Sequence, residues 1–410
     1  MIRLKNWFTA ASFVGTLIAL QSPLPACGSG FGIFTQGADA LGQGNAVIAH
    51  GDGPSSAYFN PALITKLPGT QVEAGTTLIF PHREYHDPSG FEYRTQEDVL
   101  LPPSTFYITH AFTDKLSASM AVFDPFGLST DWGDNWPGRY ITTKAEMLTV
   151  NFNPAVAYKI LPNLSVAAGL DVVYLDSKLK SAVPSSSLGI PGPNFDVRQE
   201  FSGTGTGVGF NLGVAYDINE ALSVGVAYRS KVDISVDGNY HNGLMPSSVS
   251  ADADITLPQQ LTAGIACRPI DPLVIELGVR WEDWSSTNNL TVKIPALATA
   301  AVYPRDWHGT AAITAGGKYR FNDMFSASLG YLYGWNPVPD STFEPAIPDS
   351  NTHLFCIGGE ARVKNFTLDL AYAYQLQEDR NKGFNKYGPI AMGEYKSNLN
   401  MLALSIGYKF

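Results

Sequence analysis

Few residues of this 410-residue chain stand in patterns that could carry out chemistry. Gly203, Gly205, Gly207 and Gly209 form a glycine-rich run of the kind that cradles phosphate, but neither a GxGxxG nor a Walker pattern is completed around them. Glycine at every second position instead clears room beside one face of a strand, because successive strand residues point to opposite sides. His82 and His86 have the i, i+4 spacing that places two ligands on one helix face, but they sit at a strand end and in the loop after it. No metal site is expected there. No Ser–His–carboxylate grouping can be assembled without a fold to place it, so no catalytic residue and no cofactor are expected. Cys27, Cys267 and Cys356 are too few for a disulfide framework, leaving one pairing open, Cys267 with Cys356. The net charge of −10 argues against nucleic acid as a partner and requires any anion site to be local.

The elements that would position such residues repeat with period two. In residues 222–236 one face is Leu222, Val224, Val226, Tyr228, Val232, Ile234 and Val236, broken only by Ser230; the other is Ser223, Gly225, Ala227, Arg229, Lys231, Asp233 and Ser235. Phe210, Leu212, Val214 and Tyr216 alternate in the same way, as do Phe366, Leu368, Leu370, Tyr372 and Tyr374. Such segments have one greasy and one wet side. Charged residues are only 16% of the chain and aromatic residues 12%, yet no apolar stretch long enough for a transmembrane helix follows position 30. A soluble sandwich also alternates. Two features favour a membrane barrel. The segments exceed the mode of about 5–6 residues for soluble strands. The connections also alternate between short and long. Tight turns at 114–115, 161–163, 218–220, 269–272, 322–323 and 364–365 interleave with long loops near 81–102, 125–146, 181–204, 238–252, 288–307, 336–350 and 379–396. That arrangement predicts an all-β fold, a 14-stranded antiparallel transmembrane β-barrel in the outer membrane of a Gram-negative bacterium, with short periplasmic turns and long external loops. Hydrocarbon offers no partner for backbone N–H and C=O groups, so the sheet must close on itself. The last alternating strand ends on Phe410, resembling the assembly signal of outer-membrane proteins generally.

Residues 1–28 read as a signal peptide: Arg3 and Lys5, an apolar core over 10–20, then Pro23, Pro25 and the small residues Ala26, Cys27 and Gly28. Lipidation at Cys27 is the rival reading, and Pro25 is a poor residue within such a box. Residues 70–410 are the expected barrel. Residues 29–69 lack strand alternation and are poor in charge, and the lumen of a barrel this size can hold them. Within them Asn60 reads as an N-cap and Pro61 as the first residue of a short helix.

Ser29-Gly30-Phe31-Gly32, Ala40-Leu41-Gly42 and, most specifically, Tyr58-Phe59-Asn60-Pro61-Ala62-Leu63-Ile64-Thr65 resemble the N-terminal region of the bacterial long-chain fatty-acid outer-membrane transporters, the FadL family. That family also includes channels for aromatic hydrocarbons. Tyr228 to Val232 with Gly238-Asn239-Tyr240, and Asn336 to Pro339 with Ile347-Pro348-Asp349, look like further family patterns. The resemblance implies a barrel plugged by an N-terminal hatch carrying Gly30, Asn60, Pro61 and Ala62, and a hydrophobic ligand site against hatch and inner wall. It also implies sideways exit at a kink in the third strand, here residues 116–124, whose end is Phe123-Asp124-Pro125-Phe126-Gly127. Pro125 cannot donate to a ladder, and simply ending the strand is its alternative reading. By position, Phe31 resembles the hatch aromatic that touches ligand. Arg305 lies near a basic ligand contact and Lys178 and Lys180 near another, the match at Lys180 being offset. For each cation a solvated loop position is the competing reading. The function so implied is passive transport of a long-chain fatty acid or another hydrophobic small molecule by a monomer surrounded by outer-membrane lipid. A neutral-hydrocarbon channel, or a general pore or structural barrel, is the alternative, and an enzyme is not expected.

Overall fold

The computed structural model describes residues 30–96, 103–287 and 289–410; the expected signal peptide lies outside the described residues. The wall is a closed barrel of 14 antiparallel strands. It starts with β1 (Thr70–His86), β2 (Ser104–Ala111), β3 (Leu116–Phe123, resuming over Gly127–Asp131), β4 (Lys144–Leu161) and β5 (Leu164–Pro184). It continues with β6 (Asp196–Asn219), β7 (Leu222–Arg229 and Val232–Asn242), β8 (Val249–Leu257 and Gln260–Ile270) and β9 (Leu273–Glu282 and Asn289–Ile294). It ends with β10 (Thr299–Pro304 and Thr310–Arg320), β11 (Phe325–Gly334), β12 (Thr352–Val363), β13 (Phe366–Gln377) and β14 (Gly393–Lys409). β14 pairs back with β1 from Gln71↔Lys409 to His86↔Glu394, so the first and last strands leave no open edge between them.

The faces follow the alternation. Phe210, Leu212, Val214 and Tyr216 on β6 are exposed on the outside, while Asn211 and Ala215 between them are buried. Phe366, Leu368, Leu370 and Tyr372 on β13 are likewise outside, with Asp369, Ala371 and Ala373 inside. The short turns are made by their own side chains: Asn322 Oδ1 accepts from the Met324 and Phe325 N–H groups (2.8 and 2.9 Å), and Asn219 Oδ1 from Ala221 N–H (2.9 Å). Phe112, Phe321, Phe325, Phe366 and Phe410 form an exposed aromatic girdle at this turn rim.

Two expectations are corrected and one open pairing is decided. The strands run well into the expected loops: β5 and β6 pair as far as Pro184↔Asp196 within 181–204, and Asn289–Ile294 pairs with Thr299–Pro304 within 288–307. Second, the greasy face of 222–236 is not continuous. Val226 is 42% exposed on the outside, but Val232, Ile234 and Val236 are at most 4% exposed and face inward. Ser230 causes the switch, donating from its N–H to the Phe210 carbonyl while its hydroxyl accepts from the Phe210 N–H (2.8 and 2.9 Å). Backbone and side chain of one residue thus occupy two ladder positions, and the parity of the strand reverses, as in a bulge. Beyond it Lys231, Asp233, Asp254 and Lys293 lie outside in ion pairs, marking wall that stands clear of the apolar band. The glycine row does clear room, but for β7: a Cβ at Gly205 would meet Ile234 Cγ2 at 2.7 Å, and one at Gly207 would meet Val232 Cγ1 at 2.5 Å. The pairing left open is not made: Cys267 and Cys356 are both free, Cys267 exposed and Cys356 buried, on opposite sides of the wall.

Residues 30–69 fill the lumen as α1 (Ala38–Gly42), α2 (Ser56–Phe59) and a 3₁₀ turn (Pro61–Lys66). Asn60 caps that turn by accepting from Ala62 N–H, and its amide donates to the carbonyls of Ile48 in the hatch (2.8 Å) and Val214 on β6 (2.9 Å). On β9, Glu276 accepts from the backbone N–H groups of Ile48, Ala49 and His50 and bonds His50 Nδ1 at 2.7 Å. Hatch backbone lies directly on wall glycines; a Cβ at Gly330 would sit 2.0 Å from Gly44 N.

Candidate ligand-binding site

The loop-side half of the lumen is lined by apolar residues, among them Phe31, Phe126, Trp132, Trp136, Trp284, Trp307, Val292 and Ile347. Within it lies a cavity of about 290 Å³, bounded by Phe201 on β6, Tyr240 on β7, Leu290, Val292 and Ile294 on β9, Tyr303 on β10, and Arg305, Glu344 and Ile347 in loops. The inward greasy side chains come from strands whose outer faces are polar, so this end of the barrel is inverted relative to its membrane band.

The cations expected from sequence are placed unequally. Lys180 reaches the edge of the cavity, whereas Lys178 lines a separate depression with Glu146 and Asp237. Both hold Glu200, at 3.1 Å from Lys178 and 3.3 Å from Lys180. Arg305 is no solvated loop cation: it is 8% exposed, its guanidinium lies 5.0 Å over the Trp307 ring, and its Nε is 3.7 Å from Glu344 Oε1. The other Glu344 oxygen accepts from the Tyr387 hydroxyl at 3.0 Å. Burial pushes the Glu344 carboxyl up, against the lowering influence of Arg305 and Tyr387.

Phe31 does not border the cavity. It is 3% exposed beneath it, edge-on to Trp284 (4.6 Å) and Phe126 (5.8 Å) and 6.0 Å from Trp307. An aromatic chain thus runs from Arg305 through Trp307 to the hatch tip. Gly30 must be glycine here, with φ of +57° and a Cβ position 2.8 Å from the Trp284 ring; its N–H donates to Asp349 Oδ2 (2.8 Å).

Pro125 interrupts β3 and does not end it. The ladder between β2 and β3 stops at Phe106↔Val122, and the hatch takes over: Ile33 N–H donates to the Pro125 carbonyl (3.1 Å) and Gly127 N–H to the Phe31 carbonyl (2.9 Å). Asp124 is tied on both sides, its carbonyl accepting from Gln36 Nε2 (2.6 Å) and its carboxylate from Ser104 N–H (3.1 Å). At the opposite end of the lumen the floor is ionic. Lys318 bridges Asp39 (2.9 Å) and Glu360 (2.8 Å), and Arg362 pairs with Asp52, above a polar vestibule of about 670 Å³. Higher up, Arg229 pairs with Asp171 and lies over the rings of Tyr58 and Phe123.

A family model described as outer membrane protein transport protein (OMPP1/FadL/TodX) matches residues 21–410. The chain belongs to this family. A 47 kDa outer membrane protein of Pasteurella multocida is 24% identical over 92% of each chain. The long-chain fatty acid transport protein of Escherichia coli is 23% identical over 85% of this chain and 86% of that one. Among solved structures, a Pseudomonas aeruginosa FadL homologue superposes with a TM-score of 0.83 at 19% identity, covering 93% of this chain and 100% of that one. The Pseudomonas putida toluene transporter TodX gives 0.73 at 17% identity, over 93% and 99%. Family membership and the barrel place this FadL-family chain in the Gram-negative outer membrane.

Sequence reasoning missed Glu344, Glu276 and the two tryptophans beside Phe31. Glu276 carried a signal, being the one charge in Leu273-Val-Ile-Glu-Leu-Gly-Val279 and standing at an inward register. Glu344 stood alone among apolar residues and prolines in 343–348, which marks a buried acid only once the loop is known to fold inward.

Proposed function

We propose that this protein carries long-chain fatty acids or similar hydrophobic molecules across the outer membrane by passive passage. Ligand enters the loop-side cavity, shifts the hatch tip and leaves sideways at the β3 kink, where Asp124 and Pro125 open the ladder. One arrangement carries this reading: a greasy cavity stands above a hatch whose far side is a lattice of ion pairs. A hydrophobic molecule gains nothing by crossing that floor, whereas the kink offers lipid. The relatives named for fatty-acid transport agree with it. In this reading Arg305 holds the polar head and Lys180 lies at the rim. Lys178 does not border the cavity and takes no direct part, and Phe31 acts through Trp307. Residues 29–69 act as the hatch on the barrel of residues 70–410 after the signal peptide is removed. Wall closure within one chain suits a monomer with membrane lipid against its apolar band.

Neutral aromatic hydrocarbons are the second reading, favoured by the aromatic lining of the loop-side lumen, Phe31, Phe126, Trp284 and Trp307 among it. A general pore conflicts with a lumen filled by residues 30–69. In a planar bilayer the purified protein is expected to conduct ions far below an open porin while still binding oleate or a hydrocarbon of similar length. Porin-like conductance without such binding would refute the proposal.

A further inference from the structure

The charge pair in the cavity is geometrically incomplete. Arg305 Nε and Glu344 Oε1 are 3.7 Å apart, beyond hydrogen-bonding distance, and this Nε–H has no hydrogen-bond partner among the described residues. Both side chains are at least nine-tenths buried, and both line the cavity. Tyr387 holds Glu344 by its other oxygen, so Oε1 is left facing the cavity. A buried donor without an acceptor is expensive to leave unmade. That Nε is sealed by protein, so a ligand in the cavity meets the other guanidinium N–H groups of Arg305, and an oxygen that accepts from them stands near Glu344, whose Oε1 calls for a donor.

We propose that Arg305 and Glu344 form a seat for an uncharged hydroxyl-bearing head group, the oxygen accepting from Arg305 and its hydrogen donated to Glu344. This rests on the cavity being the ligand site and narrows what it takes. A hydroxyl both donates and accepts. An alcohol fits the seat, and so does an undissociated fatty acid, whose carbonyl accepts from Arg305 while its O–H donates to Glu344. An ionised carboxylate satisfies Arg305 but sets a second negative charge against Glu344 in a water-poor site. A bare hydrocarbon leaves both groups unmet. Glu344 is thus the specificity-determining residue, the counter-ion that keeps Arg305 from acting as a simple anion trap.

The test compares oleyl alcohol with oleate, at a pH where oleate is ionised, on the full-length purified protein and on Glu344→Gln. The wild-type protein should bind the alcohol roughly tenfold or more tightly than oleate, because juxtaposing like charges is costly. Glu344→Gln should raise oleate affinity about tenfold and change alcohol affinity by less than about threefold. Equal or tighter oleate binding by the wild-type protein overturns the proposal, and so does a ratio that Glu344→Gln leaves unchanged. If the variant does not fold, the wild-type ratio alone decides. Binding of neither molecule by wild-type protein would instead sink the reading of the cavity as a ligand site.

Discussion

Ser230 illustrates how one side chain changes what an alternating pattern means. Before it the greasy face of β7 meets lipid; after it the greasy face meets the apolar interior of the lumen, because the Ser230 hydroxyl substitutes for a ladder position opposite Phe210. The sequence marks Ser230 as the only break in the apolar row but not its consequence, since an apolar lumen and an apolar membrane select the same residues. The correction has a measurable consequence. Val226→Arg sets a charge on the lipid face and should destabilise the barrel by roughly 2–4 kcal/mol. Ser235→Arg, which unbroken alternation would have pointed into the lumen, should change stability by less than about 0.5 kcal/mol because the position is exposed outside. Urea titrations of the refolded barrel in lipid would reveal both, and a large loss for Ser235→Arg would contradict the facing.

Among elements, the turns were the most legible and the loops the least. Asn219 and Asn322 form Asx-type turns that any sequence reading can find. The extension of β5 to β10 beyond the membrane was hidden because Gly, Ser and Pro there read as loop punctuation. The hatch was legible as an element through its lack of alternation and the Asn60-Pro61 cap. Its anchors were not, because they join residues far apart in the chain. Glu276 is the strongest of these anchors by geometry. Glu276→Ala would strip the acceptor from three backbone N–H groups, each worth about 1–3 kcal/mol when left buried and unmet. The expected outcome is a hatch that undocks without loss of the barrel, read as a rise in single-channel conductance. Unchanged conductance in a folded variant would mean that Asn60 and the Lys318 network hold the hatch without it.

For the molecule as a whole, closure, strand number and membrane location were all available from the pattern of turns and faces, since a sheet in hydrocarbon has no other solution. The cavity lining was only partly legible: Arg305, expected near a ligand, lines the cavity, its partner Glu344 was not anticipated, and Phe31 lies outside the cavity wall. Transport in this account requires the hatch tip to leave the β3 kink, where Gly32 and Phe126 form a backbone bridge. Residues paired in this way have the separation a disulfide can span. The most direct test is therefore a double variant, Gly32→Cys with Phe126→Cys, in a background with Cys267→Ser and Cys356→Ser. Uptake of a labelled long-chain substrate into cells should fall to background when the lock is oxidised and return on reduction. Uptake continuing at the same rate with the lock closed would contradict passage through the hatch and the kink.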